Sequence, residues 1–204
     1  AAKNAKNSFQ HPLDGYAKKI VIDDNTARHK PDSTEKVLVH IAPVETGDVE
    51  RIAVLAREIW LAHYPDIIGI EQIEYMLRQR YAPAIIRAEL QRDDLWWDKL
   101  LLGDDIMAFS SYFLSGPGEM KLDKLYVRQE SQRHGYGGML IERTCRLAQE
   151  RGCSRLVLAV NRNNRNAIAA YGKYGFEIRG TAVKDIGRGF VMDDYIMERQ
   201  LQGR

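Results

Sequence analysis

Apolar residues recur along this chain with two periods, and the switches between them mark out the elements. Residues 37–41 alternate apolar and polar, the period of a half-buried strand. After the helix-opening cluster Thr46-Gly47-Asp48, the residues Val49, Ile52, Ala53, Ala56, Ile59, Trp60 and His63 follow at helical spacing. Tyr64-Pro65-Asp66 breaks that run. Ile73, Leu77 and Tyr81 predict a second helix over 70–80, Pro83 interrupts it, and 84–91 reads as helical again. Three strand-like runs follow, over 95–102, 106–114 and 120–127. Gly103-Asp104-Asp105 and Ser115-Gly116-Pro117-Gly118 separate them, so they predict an antiparallel meander.

Beyond residue 127 strands and helices alternate. A helix over 137–150 turns Leu140, Ile141, Thr144, Leu147 and Ala148 inward and ends at Gly152. Residues 155–160 are an apolar run suited to the centre of a sheet. A helix over 164–174 stops at Gly175. Two last strands, 176–183 and 190–201, flank Asp185-Ile186-Gly187-Arg188-Gly189. The helix between the strands at 120–127 and 155–160 requires a parallel crossover. The predicted fold class is therefore α/β: one domain over 37–204, with a mixed, mostly antiparallel sheet of about seven strands flanked by about four helices. Residues 1–36 stand apart. They are polar, with Pro12, Gly15, Pro31 and one strand-like run, Lys19-Ile20-Val21-Ile22, and read as an N-terminal arm, disordered or laid on the surface.

Composition narrows the function classes. The 204 residues, 45% hydrophobic and 28% charged, suit an ordinary globular domain with a real core. A formal charge of +2, with bases interleaved among acids, gives no reason to expect a nucleic-acid partner. Two cysteines exclude a disulfide framework. Neither Cys145 nor Cys153 has a histidine or acid arranged to activate it. His11, His29, His40, His63 and His134 show no paired ligand spacing, so no metal is expected. No apolar run reaches about 18 residues, and the first residues lack a secretory core, so the expectation is a cytoplasmic protein without a membrane partner.

Candidate chemistry concentrates at Gln132-Arg133-His134-Gly135-Tyr136-Gly137-Gly138, between a predicted strand and a predicted helix. Glycines let several backbone N–H groups approach one point, and a helix N-terminus adds partial positive charge, so a diphosphate fits there without a lysine. Taken alone, the pattern equally describes a plain strand-to-helix turn. Two other phosphate motifs fail. The P-loop needs Gly-Lys-Ser/Thr where Gly137-Gly138-Met139 stands. The dinucleotide fingerprint needs a small residue at Leu140 and an acid near the next strand end, which reads Val160-Asn161.

Gln132-x-x-Gly135-x-Gly137, preceded by Leu125-Tyr126-Val127-Arg128, resembles the coenzyme A signature of the GNAT superfamily of N-acetyltransferases, Q/R-x-x-G-x-G/A after the fourth strand. Asn164-x-x-Ala167-Ile168-x-x-Tyr171-x-Lys173-x-Gly175-Phe176 is similar to that family's second stretch. The element order matches as well, over about 37–201. The resemblance implies a GNAT-like domain with acetyl-coenzyme A as co-substrate and an amine acceptor as the other partner. It implies that Gln132, Arg133, His134, Gly135, Tyr136, Gly137 and Gly138 hold the pyrophosphate, mainly by main-chain amides. Leu125, Tyr126 and Val127 would pair with the pantetheine arm like a further strand. Asn164 would hydrogen-bond that arm, with Ala167 and Tyr171 beside it, and Lys173 would approach the nucleotide end.

Attack on a thioester needs a neutral amine, a stabilised oxyanion and a proton for the departing thiolate. An amine of pKa near ~10.4 must lose its proton, and a phenol of pKa near ~10 can supply one. Tyr171 stands where the family has that acid; packing its ring between helix and sheet is the alternative use. A backbone N–H near Val127 would meet the oxyanion. By the period of two, Lys121, Asp123, Leu125 and Val127 share a strand face. Some relatives carry a glutamate base near Lys121, and lysine departs from that pattern. Asp123 is then the nearest acid for a base, or a carboxylate pairing with a neighbouring Lys or Arg; Glu119 and water are further candidates. The ending Gly189–Glu198, by number 189–198, is similar to small-amine and polyamine acetyltransferases. Asp193, Asp194, Glu58 and Asp66 with Trp60, Trp96 and Trp97 would make an anionic, aromatic pocket, or else be solvent-facing acids and core indoles. The expected activity is acetyl transfer to a primary amine of a small molecule. A protein N-terminal or lysine acetyltransferase and a non-catalytic coenzyme A-binding module are the alternatives. The long final strand offers an edge for a homodimer.

Overall fold

In the computed structural model, which describes residues 38–201, seven strands share one sheet. They are β1 (Val39–Pro43), β2 (Leu95–Leu102), β3 (Asp105–Gly116), β4 (Glu119–Val127), β5 (Arg155–Asn161), β6 (Glu177–Gly187) and β7 (Phe190–Gln200). Their spatial order is β1-β2-β3-β4-β5-β7-β6. Helices α1 (Val49–His63), α2 (Ile70–Arg80) and α3 (Pro83–Glu89) lie between β1 and β2 in the chain. Helix α4 (Tyr136–Glu150) joins β4 to β5, and α5 (Arg165–Lys173) joins β5 to β6. The single α/β domain with a mostly antiparallel seven-stranded sheet is as expected, with five helices rather than four. The arm over 1–36 and the first residue of the 37–41 strand lie outside the described residues.

Each face of the sheet has its own core. The α1–α3 face packs Ile52, Ile59, Trp60, Ile73, Met76 and Ile86 against Trp97 and Phe109. On the opposite face, α4 and α5 bring Ile141, Cys145, Leu147 and Ile168 onto Leu122, Leu156, Leu158 and Met197. Trp96 and Trp97, successive in β2, point into different cores, as strand pleating requires. A buried polar tie also crosses the second layer: Tyr112 donates to Asp98 at 2.5 Å and Arg143 of α4 donates to the same oxygen at 3.2 Å.

The strand edges differ from expectation. β7 pairs with β5 on one side and β6 on the other, so the final strand is interior. The free edge on that side is β6, whose hairpin with β7 turns through Arg188 and Gly189, both at positive φ (56° and 77°). β6 also runs to Gly187, four residues past its predicted end.

Two irregularities coincide in β4. Ser111 pairs with Lys124 and Tyr112 with Leu122, which leaves Asp123 as an extra residue, a β-bulge. The parallel β4–β5 ladder runs only from Glu119↔Arg155 to Leu122↔Leu158. Beyond it β5 stays with β7 as far as Asn161↔Asp194, so β4 and β5 part company at the bulge.

Candidate active site

The turn before α4 leaves its donors free. Arg133 and Gly135 take left-handed conformations (φ 65° and 84°), and Gly135 is the N-cap of α4. The first backbone bond of the helix is Met139 N–H to the Gly135 carbonyl, at 3.0 Å. Among the described residues, none of the amides of residues 133–138 donates to a backbone carbonyl. Free amides at the positive end of a 15-residue helix form an anion cradle. Gln132 steadies it from outside, its amide reaching the Val127 carbonyl at the end of β4 (3.5 Å). The glycines serve different ends. A Cβ on Gly137 would meet Val127 at an ordinary 3.7 Å, whereas one on Gly138 would lie 2.1 Å from the Tyr174 hydroxyl. Gly138 therefore makes room for Tyr174, a contact the sequence did not reveal.

Because β4 and β5 separate, residues from both faces of the sheet meet through the gap. From the α5 side comes Tyr171, edge-on to Phe176 at 5.7 Å between centroids. Asn164 caps α5 by accepting from Ala167 N–H at 3.2 Å. From the α1–α2 side comes a cluster of rings: Trp60 lies 4.6 Å from Tyr64, 5.6 Å from Tyr81 and 5.9 Å from Tyr126. Tyr64 is the junction, interacting with Tyr126 and Asn164 while its charge state bears on Tyr171. Burial raises the pKa of Tyr64, Tyr81, Tyr126 and Tyr171, so each keeps its proton near neutrality.

The bulge decides which β4 side chains reach this cup. Strict alternation put Lys121, Asp123, Leu125 and Val127 on one face. Instead Leu125 and Val127 pack toward α4, while Lys124 and Tyr126 turn toward α1–α3. Asp123 is consumed by an ion network: Arg80 donates to it at 2.6 Å and Lys124 at 3.0 Å. Burial alone would raise its pKa, but those two cations hold it down at about 2. A carboxylate so weakly basic and so fully engaged is unsuited to accept a proton from an amine. Lys124, 1% exposed, also bonds Glu89 at 2.9 Å and sits 4.7 Å above the Trp97 ring. Glu119 is likewise engaged, with Arg155 and Arg179.

Of the remaining predicted pocket residues, Trp60 and Asp194 border the cup. Glu58 and Asp66 are exposed, Asp193 pairs with Arg162, and Trp97 belongs to the core. Trp96 packs on the other face beneath Arg151, 4.0 Å from its ring. Lys173 is exposed in the last turn of α5. Arg80, Tyr64 and Tyr81 were not singled out, although the family resemblance makes the helices at 49–64 and 70–80 the acceptor side, because each merely ends a helix in the sequence. The hairpin tip then closes one side of the cup. Tyr75 of α2 donates to the Ile186 carbonyl at 2.6 Å, Gln72 reaches the Val191 carbonyl at 3.2 Å, and Phe190 lies 5.5 Å from Tyr75. A groove of about 680 Å³ between α4 and the β6–β7 strands contains none of these residues. Among the described residues no group of three or more His, Cys, Asp or Glu could hold a metal, and no helix is long and apolar enough to cross a membrane.

A sheet splayed beside an open helix N-terminus suits a ligand with a diphosphate at one end and an extended arm laid in the gap. Residues 51–176 match the acetyltransferase (GNAT) family model, and the chain belongs to that family. It is an acetyl-coenzyme A-dependent N-acetyltransferase. It is 28% identical over 162 residues to the spermidine N(1)-acetyltransferase of Thermoplasma acidophilum, covering 76% of this chain and 96% of that protein. Its fold is shared with the crystal structure of the PaiA N-acetyltransferase of T. acidophilum in complex with coenzyme A. There the TM-score is 0.69 at 23% identity, over 79% of this chain and 98% of that one. The ribosomal-protein-S18-alanine N-acetyltransferase of Escherichia coli has the same fold, with TM-score 0.59 and 21% identity over 81% and 96% of the two chains.

Proposed function

We propose that the protein acetylates a primary amine of a small, polyamine-like molecule, by direct attack of the amine on acetyl-coenzyme A, with Tyr171 as general acid. The meeting of Tyr171 with a tyrosine-lined cup through the β4–β5 gap carries this reading. The free amides of residues 133–138 fit the diphosphate, and the stretch of β4 from Asp123 to Val127, unpaired on its β5 side, fits an extended arm. Bound there, acetyl-coenzyme A supplies an activated acetyl group on a thiol leaving group. Tyr171 keeps its proton at neutral pH because burial and nearby Tyr64 oppose ionisation, so it has a proton to give as the thiolate departs. Its ring is fixed against Phe176, which limits the loss of orientation. On the acceptor side the two cations on Asp123 argue against it as the base, and a water held among the tyrosines is the simplest proton acceptor.

Two observations favour a small acceptor over a polypeptide. The β6–β7 tip reaches α2 through Tyr75, which makes a cup rather than an open groove. The relative of known name with 28% identity is a spermidine acetyltransferase. The test is thiol release from acetyl-coenzyme A with a panel of monoamines, polyamines, amino sugars and peptides. Turnover confined to peptides would overturn the reading. Tyr171→Phe is expected to lower kcat about 10²–10⁴-fold, with acetyl-coenzyme A affinity by calorimetry little changed. An unaltered kcat would remove Tyr171 from the acid role.

A further inference from the structure

Among the described residues, Asp194 of β7 is a carboxylate at the cup with no ion-pair partner. Its Oδ1 is buried with no hydrogen-bond partner. Its neighbour Asp193 is satisfied by Arg162 on the other side of the strand. Alternation along β7 turns Asp194 to the same face as Met192, which packs into the α1–α3 core. The ladder sets it opposite Asn161, beyond the point where β4 and β5 part. Tyr64 and Arg80, from α1 and α2, lie near enough to sense its charge, as does Lys121 of β4. Arg80 is already committed to Asp123 at 2.6 Å. A buried carboxylate oxygen with no partner is costly, and folds retain such a group where a ligand completes it. Two further orphans border the same cup: the Trp60 indole N–H and the Tyr81 hydroxyl.

Position also says which group Asp194 would meet. Tyr64 interacts with both Asp194 and Tyr171, whereas Asp194 is not among the groups acting on Tyr171. Asp194 shares the Met192 face of β7, toward α1–α3, whereas Tyr171 comes from the α5 side, so the carboxylate suits a second nitrogen of the acceptor rather than the reacting one.

We infer that Asp194 binds the distal ammonium of a diamine or polyamine acceptor and so selects such acceptors over monoamines of equal length. This rests on the small-amine reading above and goes further by naming the group that sets the preference. Burial pushes the Asp194 carboxyl upward in pKa despite Lys121 and Arg80, the behaviour of a group awaiting a cation.

The test compares wild type with Asp194→Asn on 1,4-diaminobutane, spermidine and n-butylamine. The expected result is a fall of at least about tenfold in kcat/KM for the two polyamines, with n-butylamine and the KM for acetyl-coenzyme A unchanged. Melting temperature separates this from a structural role: removing an orphan charge should leave it equal or higher, and a marked drop would overturn the inference. An unchanged diamine-to-monoamine ratio would overturn it as well. Should the wild type acetylate none of the three, the small-amine reading falls first, and calorimetry of 1,4-diaminobutane with coenzyme A-loaded protein decides the rest. Binding that Asp194→Asn abolishes upholds the ammonium site; equal binding by both proteins, or none by either, refutes it.

Discussion

β4 on one side of the gap, and β7 on the far side of β5, each carry an aspartate, and these two lips of the site hold theirs in opposite ways. On the β4 lip Asp123 is locked between Arg80 and Lys124, and Lys124 is itself locked to Glu89 and Trp97. That lip is backed by a continuous aromatic core from Trp60 to Phe109. On the β7 lip Asp194 has no hydrogen-bond or ion-pair partner among the described residues, and the adjoining β6 is largely solvent-facing, with Val183 71% exposed. One lip is built for rigidity and the other leaves a polar group unspent. Charge in a site is thus best located by asking which ionisable groups the fold has failed to neutralise, not which lie nearest the motif.

The strongest way to break this contrast is Lys124→Ala. It strips a fully buried cation from two carboxylates and should cost about 3–5 kcal/mol, read from denaturant midpoints. A loss no larger than that of a surface lysine would show the β4 lip is not pinned as described. Asp123→Asn should cost less, about 1–3 kcal/mol, because Lys124 keeps Glu89 and Arg80 is partly exposed. Its kcat should fall far less than that of Tyr171→Phe; an equal fall would restore Asp123 to the chemistry. The same residue gives a pH signature. Its folded pKa of about 2 lies below the ordinary 3.8, so its stabilisation is present above about pH 4 and lost as pH falls toward 2. Asp123→Asn should flatten that acid limb in thermal melts. The smallest effect is expected from Gly138→Ala. The new methyl must push the Tyr174 ring aside, for about 1 kcal/mol, with weaker coenzyme A binding in calorimetry if the displaced ring enters the cradle. A variant with wild-type stability and affinity would show that Tyr174 yields freely.

The motifs around Gly135 and Tyr171 were legible because backbone requirements leave a mark in sequence. A left-handed cap calls for glycine, and Asn164 is a helix cap whatever lies around it. The resemblance pointed to the helices at 49–64 and 70–80 as the acceptor side, but not to the individual residues that meet there. Tyr64, Arg80 and Tyr81 are unremarkable helix-end residues until the sheet draws them together. Alternation along β4 failed at one position, since a bulge shifts the phase of every later side chain without altering the composition of the strand.

By itself, the sequence determined the order of elements, the free-amide turn and the family, because hydrophobic period and glycine position act locally. Tertiary structure alone decided that β7 lies inside the sheet, that Asp123 is neutralised and that Asp194 is not. Those outcomes depend on which distant charges a strand register brings within a few ångströms, and pairing energies fall too steeply with distance to be read along a chain.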